Sequence, residues 1–263
     1  MSQLSNQDYL RTAQYHNAGR LQTRIGLHER FSTNPYDFQL WVFDQFELPP
    51  RCRVLELGCG PGTLWRRNAG RIPPGWQLTL ADFSPGMVQT ARGNLGPMAR
   101  YLAADAQTIP CPDAHFDAVV ANHMLYHVPD RPQALREIAR VLRPGGWFYA
   151  ATNGPAHLRE VKQLLARFDP ALSFWGGTPD EGFGLQNGAA QLAPCFTAIE
   201  LRRYESGLLV TDAEALADFI ASFAPLDPQR LPDLRAMLAG EIAAQGGALP
   251  VAKETGMFVA RVR

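Results

Sequence analysis

The stretch "RVLELGCGPGTLW", Arg53 to Trp65, decides how the rest of the chain is read. Val54, Leu55 and Leu57 form a short apolar run, and Gly58, Gly60 and Gly62 follow at alternate positions, the pattern of a buried strand that turns tightly into a helix. In an open α/β sheet, ligands bind outside the carboxyl ends of the strands where the strand order reverses, usually beside the first strand. The glycine turn would occupy that place. Its GxGxG spacing differs from the dinucleotide fingerprint GxGxxG, whose third glycine is replaced here by Thr63. A phosphate-cradling loop would need GKS or GKT after four intervening residues, and the sequence lacks it.

Outward from this turn the chain alternates short apolar runs with helical segments, the pattern of a parallel sheet covered on both faces. The expected strands are 53–58, 77–82, 99–105, 116–122 and 146–152, with helices over 62–68, 85–94 and 132–142. In the last helix Leu135, Ile138, Ala139 and Leu142 share one face and Asp130 stands at the N-cap. "RPGG" (143–146) then ends it, because proline cannot continue a helix and glycine accepts a left-handed turn. Upstream, "YDFQLWVFDQF" (36–46) places Phe38, Trp41, Val42 and Gln45 on one face, which suggests a helical lid over the carboxyl edge; Trp41 and Phe46 are assigned to packing. Downstream, a helix over 156–168, a loop rich in glycine and aromatics over 174–184, a strand over 196–206, helices over 212–223 and 228–244 and a final strand over 256–262 are expected.

Composition narrows the partners. The 263 residues carry 25 Lys+Arg against 25 Asp+Glu, so no global field attracts nucleic acid or an anionic membrane, and a small molecule is the expected ligand. Lys162 and Lys253 are the two lysines, an arginine bias that reads as composition and not as chemistry. Cys52, Cys59, Cys111 and Cys195 are scattered without metal-ligand or disulfide spacing, so no metal site is expected and a reducing cytoplasm fits. Neither a leader peptide nor a membrane-spanning run is evident. A monomer or a homodimer is compatible with the neutral charge.

Asp82 ends the second expected strand, where a carboxylate can accept hydrogen bonds from the hydroxyls of an adenosine ribose. NAD and S-adenosylmethionine both carry such a ribose. Asp105 offers a further carboxylate after the third strand.

Together "VLELGCGPG", "LADFSPGM", "AADAQTIPCPDAHFDAVVANHMLYHVPD" and "ALREIARVLRPGGWF" resemble the class I S-adenosylmethionine-dependent methyltransferases, in the small-molecule branch called methyltransferase type 11. The resemblance covers roughly residues 50–152. It implies a Rossmann-like, doubly wound, mostly parallel seven-stranded α/β sheet of order 3-2-1-4-5-7-6. A helical lid over 1–48 would precede a methyltransferase domain over 49–263, with 153–195 and 207–250 contributing to the acceptor cover. Carried over by position, Gly58, Gly60 and Gly62 would let backbone approach the methionine part of S-adenosylmethionine, and Glu56 would hold the turn or contact its amino group through water. Asp82 would bind the ribose, Phe83 or Met87 would lie against the adenine, Asp105 and the Ala106 amide would read its edge, and Asn122 would close the site near the sulfonium.

Methyl transfer from a sulfonium is an in-line displacement, so alignment and exclusion of water matter most. "NHMLYHV" (122–128) follows the fourth strand, which makes His123 the first candidate for acceptor contact or base and Tyr126 the second. His127 is a pocket or capping residue. In the lid, Arg20, Arg24 and His28 fall on one helical face; Arg24 is a candidate for the cofactor carboxylate, and Tyr15 and His28 for the pocket. Trp175, with Phe174 and Phe183, would cover an apolar or aromatic acceptor. Two other readings stay open at this stage: an NAD(P)-dependent oxidoreductase, and a non-catalytic module that binds an adenosyl ligand.

Overall fold

A computed structural model describes residues 19–172, 182–222 and 226–263, with side chains from residue 23 onward. Seven strands form one sheet: β1 (Arg51–Leu57), β2 (Gly75–Asp82), β3 (Ala99–Ala103), β4 (Phe116–Val120), β5 (Leu142–Asn153), β6 (Phe196–Val210) and β7 (Leu249–Val262). Their order is β3-β2-β1-β4-β5-β7-β6, as the resemblance implied. β1 to β5 are parallel, and β7 runs antiparallel to both β5 and β6.

The period of two along each strand splits the core between the two faces. Leu55, Val119, Phe148 and Phe258 point to one face, where they meet α5 (Arg131–Val141) and α7 (Gly188–Leu192). Val54, Val120, Tyr149 and Val259 point to the other, beneath α2 (Phe38–Asp44), α3 (Thr63–Arg67) and α4 (Pro85–Leu95). A third apolar cluster gathers α1 (Gly19–Phe31), α6 (Arg159–Phe168), α8 (Ala213–Ala221) and α9 (Leu231–Ala244) around Leu208, Val210, Leu249 and Val251.

Local chemistry sets the helix ends. Asp130 accepts the Gln133 N–H at 2.9 Å and starts α5, as its position in the sequence indicated. α5 stops at Val141, so Leu142 opens β5 earlier than expected, and Gly145 takes the left-handed conformation at φ 70°. Asp37 caps α2 by accepting the Gln39 and Leu40 N–H groups at 2.7 and 3.2 Å, so this helix is shorter than the expected 36–46. Trp41 and Phe46 do pack: Phe46 lies 4.8 Å from Tyr149 between ring centroids, and Trp41 meets Tyr204 at 5.4 Å. α2 thereby shares the core of the sheet.

The largest departure from the sequence reading is the β6–β7 hairpin, which runs over 196–210 and 249–262 instead of 196–206 and 256–262. Pro250, Lys253 and Glu254 interrupt the apolar alternation that marks a strand, yet pairing continues from Glu205↔Glu254 to Val210↔Leu249. β5 ends at Asn153↔Thr255, so this half of the hairpin stands past the carboxyl edge of the sheet and walls the space above it. Among the described residues no helix is long and apolar enough to cross a membrane.

The turn after β1 is braced from beneath. The Trp65 indole N–H donates to the Glu56 carboxylate at 2.7 Å, and both residues are buried. Burial pushes the Glu56 carboxyl up from 4.5 to about 8, against the pull of the Trp65 hydrogen bond. The unfolded chain therefore releases this proton near pH 4.5 while the folded chain holds it, so Glu56 favours the folded state fully below pH 4.5 and loses that contribution as the pH rises to about 8. Glu56→Gln keeps an acceptor for Trp65. In the ligand-free protein its stability relative to the parent rises across that window by about 1.4 kcal/mol per pH unit, measured by urea unfolding. Phe258, 1% exposed and packed 5.7 Å from Phe183 between ring centroids, tests the opposite face. Phe258→Ala costs about 3–5 kcal/mol by the same measurement.

Candidate active site

A cavity of about 960 Å³ opens at the carboxyl edge of the sheet. At one end the glycine turn meets the end of β2. Gly58 and Gly60 adopt φ 68° and 53°, which favours glycine, and both line the cavity. A Cβ on Gly58 would lie 2.7 Å from the Met124 Cβ, so close packing of the loop after β4 also requires this glycine. Gly62 is a correction to the sequence reading. It does not line the cavity; its φ of 75° starts α3, and a Cβ there would come 2.5 Å from the Leu95 Cδ1. Its smallness serves the packing of α3 on α4.

The Asp82 carboxylate accepts the Gly60 N–H at 2.9 Å and the Ser84 N–H at 2.8 Å, which ties the turn after β1 to the end of β2. Burial raises the Asp82 pKa while these two donors pull it down. Ser84 caps α4 through Met87, and Phe83 and Met87 line the adjoining wall. Asp105 accepts from the Gln107 N–H and side-chain amide at 2.9 and 3.0 Å, and Ala106 is buried beside it at the cavity wall.

Asn122 follows β4 into the middle of the cavity. Its side-chain oxygen and nitrogen are both buried without a hydrogen-bond partner. Burying an unpaired amide is costly, and a polar ligand in the cavity would satisfy it. With Asp82, Asp105 and the tight glycine turn, the donor and acceptor set fits an adenosyl ligand that offers hydroxyl and amino hydrogens.

His123 takes the left-handed conformation at φ 53° and donates its backbone N–H to Ala151 at 2.9 Å, which fixes the loop after β4 on β5. Its ring lies 5.3 Å from Phe38 between centroids, and burial pushes its pKa down to about 4, so the imidazole is neutral at pH 7. Tyr126 and His127 sit on the single helical turn Leu125–His127 with their rings 4.5 Å apart, and both line the cavity.

α1 contributes Arg24 and His28 to the same cavity. Arg24 is 7% exposed. His28 packs 5.9 Å from His157 and 5.8 Å from Phe219 between ring centroids, and burial pushes it down to about 3. Phe183 is buried at the cavity wall, where its carbonyl accepts from Thr152 Oγ1 at 2.7 Å. Tyr15, Phe174 and Trp175, and the side chain of Arg20, lie outside the described residues.

Among the lining residues that were not singled out from the sequence are three bases, His157, Lys162 and Lys253. The arginine bias was read as composition, and the two lysines it leaves both line this one cavity. Their rarity in an arginine-rich chain was the available signal, because an ammonium sheds its proton far more readily than a guanidinium.

Residues 55–150 match the family model described as "Methyltransferase domain". A biotin biosynthesis bifunctional protein of Bordetella avium is 36% identical over 133 residues, 51% of this chain and 28% of that protein. A ubiquinone/menaquinone biosynthesis C-methyltransferase of Hahella chejuensis is 38% identical over 116 residues, 41% of this chain and 47% of that protein. The chain thus spans less than half the length of these relatives. Among solved structures, phosphoethanolamine N-methyltransferase 2 of Haemonchus contortus, in complex with phosphomonomethylethanolamine and S-adenosylhomocysteine, superposes with a TM-score of 0.60 at 16% identity. That match covers 97% of this chain and 59% of the other, and it speaks to the fold. Strand order and the structural likeness agree on a class I methyltransferase fold, and within it residues 55–150 match the methyltransferase-domain model.

Proposed function

We propose that this chain transfers a methyl group from S-adenosylmethionine to a small-molecule acceptor. The observation that carries the reading is the junction of Gly60 with Asp82 at one end of a cavity that continues past Asn122 and His123 to a separate inner end. One end suits the adenosyl donor and the other an acceptor, with both facing Asn122.

When bound, S-adenosylmethionine supplies a methyl carbon on a positively charged sulfur that is open to in-line attack. The glycine turn and Glu56 would hold the amino-acid portion, with Arg24 available to its carboxylate. Asp82 would accept from the ribose, Phe83 and Met87 would flank the adenine, and Asp105 with the Ala106 amide would read its edge. His123 is neutral in this environment and can accept a hydrogen bond or a proton from the acceptor, with Tyr126 placed on the following turn. Residues 1–48, 153–195 and 207–250 would cover the acceptor and exclude water.

Calorimetric titration with S-adenosylhomocysteine and, separately, with NAD tests the cofactor. Saturable binding of the first alone is expected, and binding of NAD alone overturns the reading. Asp82→Ala removes an acceptor for two donors, each worth about 1.5–3 kcal/mol when charge-assisted, so affinity for S-adenosylhomocysteine falls by at least about 100-fold. Unchanged affinity in a folded Asp82→Ala protein removes Asp82 from the site.

A further inference from the structure

The inner end of the cavity gathers protonatable side chains from five separate elements: His28 on α1, His123 after β4, His157 after β5, Lys162 on α6 and Lys253 on β7. The backbone holds them there. The turn after β5 is fastened to β7 on both sides of Lys253: Gly154 N–H donates to the Glu254 carbonyl at 2.9 Å, and Leu158 N–H donates to the Ala252 carbonyl at 2.8 Å. Leu158 accepts a left-handed φ of 56° in closing this turn. His157 is thereby set beside Lys253 and packs against His28. The Nδ1 atoms of His28 and His157 are buried without a hydrogen-bond partner. The Lys253 ammonium lies 5.3 Å from the centre of the Tyr204 ring, and among the described residues neither Lys253 nor Lys162 forms an ion pair.

The carboxylates around this cluster have other partners. Asp37, which faces Lys253, caps α2 through Gln39 and Leu40 and lies 3.8 Å from Arg67. Glu29 pairs with Arg67. Glu254 accepts the Ala156 N–H at 2.9 Å and meets Arg203 at 3.3 Å. Glu56, Asp82 and Asp105 are bonded at the far end. Desolvation holds Lys253 down to about 8 against the opposing pull of Asp37, and the imidazoles, desolvated first, are lowered further by their basic neighbours: His28 by Lys253 and His123, His123 by Lys253 and His127, and His157 by His28, His123, Lys253 and Lys162. The imidazoles do not converge on a metal, since among the described residues no group of three or more His, Cys, Asp or Glu is placed to hold one.

We propose that this inner end binds a carboxylate carried by the acceptor, held by the Lys253 ammonium and the imidazoles of His28 and His157. A buried cluster of bases whose one facing carboxylate, Asp37, is shared with a helix cap and Arg67 is improved by one negative charge, which offsets the desolvated ammonium and gives the unpartnered Nδ1 atoms an acceptor in the neutral tautomer that carries its hydrogen there. One ammonium with neutral rings balances a monoanion better than a phosphate dianion, which calls for guanidinium forks or a nest of backbone amides. The carboxylate of the methyl donor itself is a poor candidate. β7 stands three strand spacings from β1, about 14 Å away across the sheet. This inference rests on the methyl-transfer reading for the word acceptor, but the anion site is tested separately from it.

The probe pair is phenylacetate and phenylacetamide, alike in shape and different in charge. Each is titrated into the full chain, free and saturated with S-adenosylhomocysteine, while the histidine ring resonances are followed by NMR. Phenylacetate is expected to bind at least about tenfold tighter than the amide, with the ring signals of His28 and His157 shifting as it binds and those of histidines outside the cavity unmoved. In Lys253→Met the preference falls to near unity; in Lys253→Arg, which keeps the charge if the methionine variant fails to fold, it persists. Equal binding of the two probes, absence of binding by both across the millimolar range, or an unchanged preference in Lys253→Met overturns the proposal. A charge preference without S-adenosylhomocysteine binding keeps the anion site and removes the methyl-transfer reading, and the reverse result removes the anion site alone.

Discussion

The site depends on one carboxylate. Asp82 leaves the end of β2 and takes the N–H groups of Gly60 and Ser84, so a single side chain fixes the turn after β1, the start of α4 and the gap between them. Turns at the carboxyl edge of a parallel sheet have no ladder partners of their own, and their amides must be satisfied by side chains or ligands. Asp82 meets part of that demand and still lines the cavity. Below it the buried Glu56–Trp65 hydrogen bond braces the same turn from the side of the core.

A second constraint converts an open sheet edge into an enclosed space. β6 and β7 continue their pairing past the end of β5, and the exposed apolar face of that projecting half, Leu208, Val210, Leu249 and Val251, has to be covered. α1, α6, α8 and α9 cover it. These helices therefore stand over the carboxyl edge for a packing reason, and the cavity is the space left between them and the strand ends. Tyr204 and Lys253, from the same hairpin, and Phe219, from α8, face into it.

The two ends of the cavity differ in chemistry. The end beneath β1 to β3 carries the carboxyl groups of Asp82 and Asp105; the end beneath β5 and β7 carries the ammonium groups of Lys162 and Lys253. Asn122 and His123 stand where the two meet. Such a gradient across a partly desolvated space orients a ligand pair more strongly than the same charges would in water. The fold supports it without determining it, since the sheet would pack equally well around other residues at these positions.

The residues of the first five strands were legible from the sequence because buried parallel strands are short apolar runs punctuated by glycine, proline and capping residues, and each of those signals is local. Asp130 at the start of α5 and the GxGxG turn after β1 are instances. That Gly58, Gly60, Asp82 and Asp105 share one cavity was legible for the same reason: they lie directly after strands, and topology alone brings strand ends to one edge. Gly62 misled because glycine in a turn looks the same whether a ligand or Leu95 fills the space beside it. At the basic end His28 and His123 were named as single candidates, but their meeting with His157 and Lys253 could not be read. His28, His157 and Lys253 belong to elements far apart in sequence, Lys253 sits in a half-strand whose polar residues hide its alternation, and its neighbours are set by hairpin register and the turn fastened to β7. The sequence by itself determined the sheet and the residues at the ends of its first strands through local patterns of burial and turning; the tertiary structure alone decided which charges meet beneath β5 and β7, because that depends on long-range pairing that no local pattern encodes.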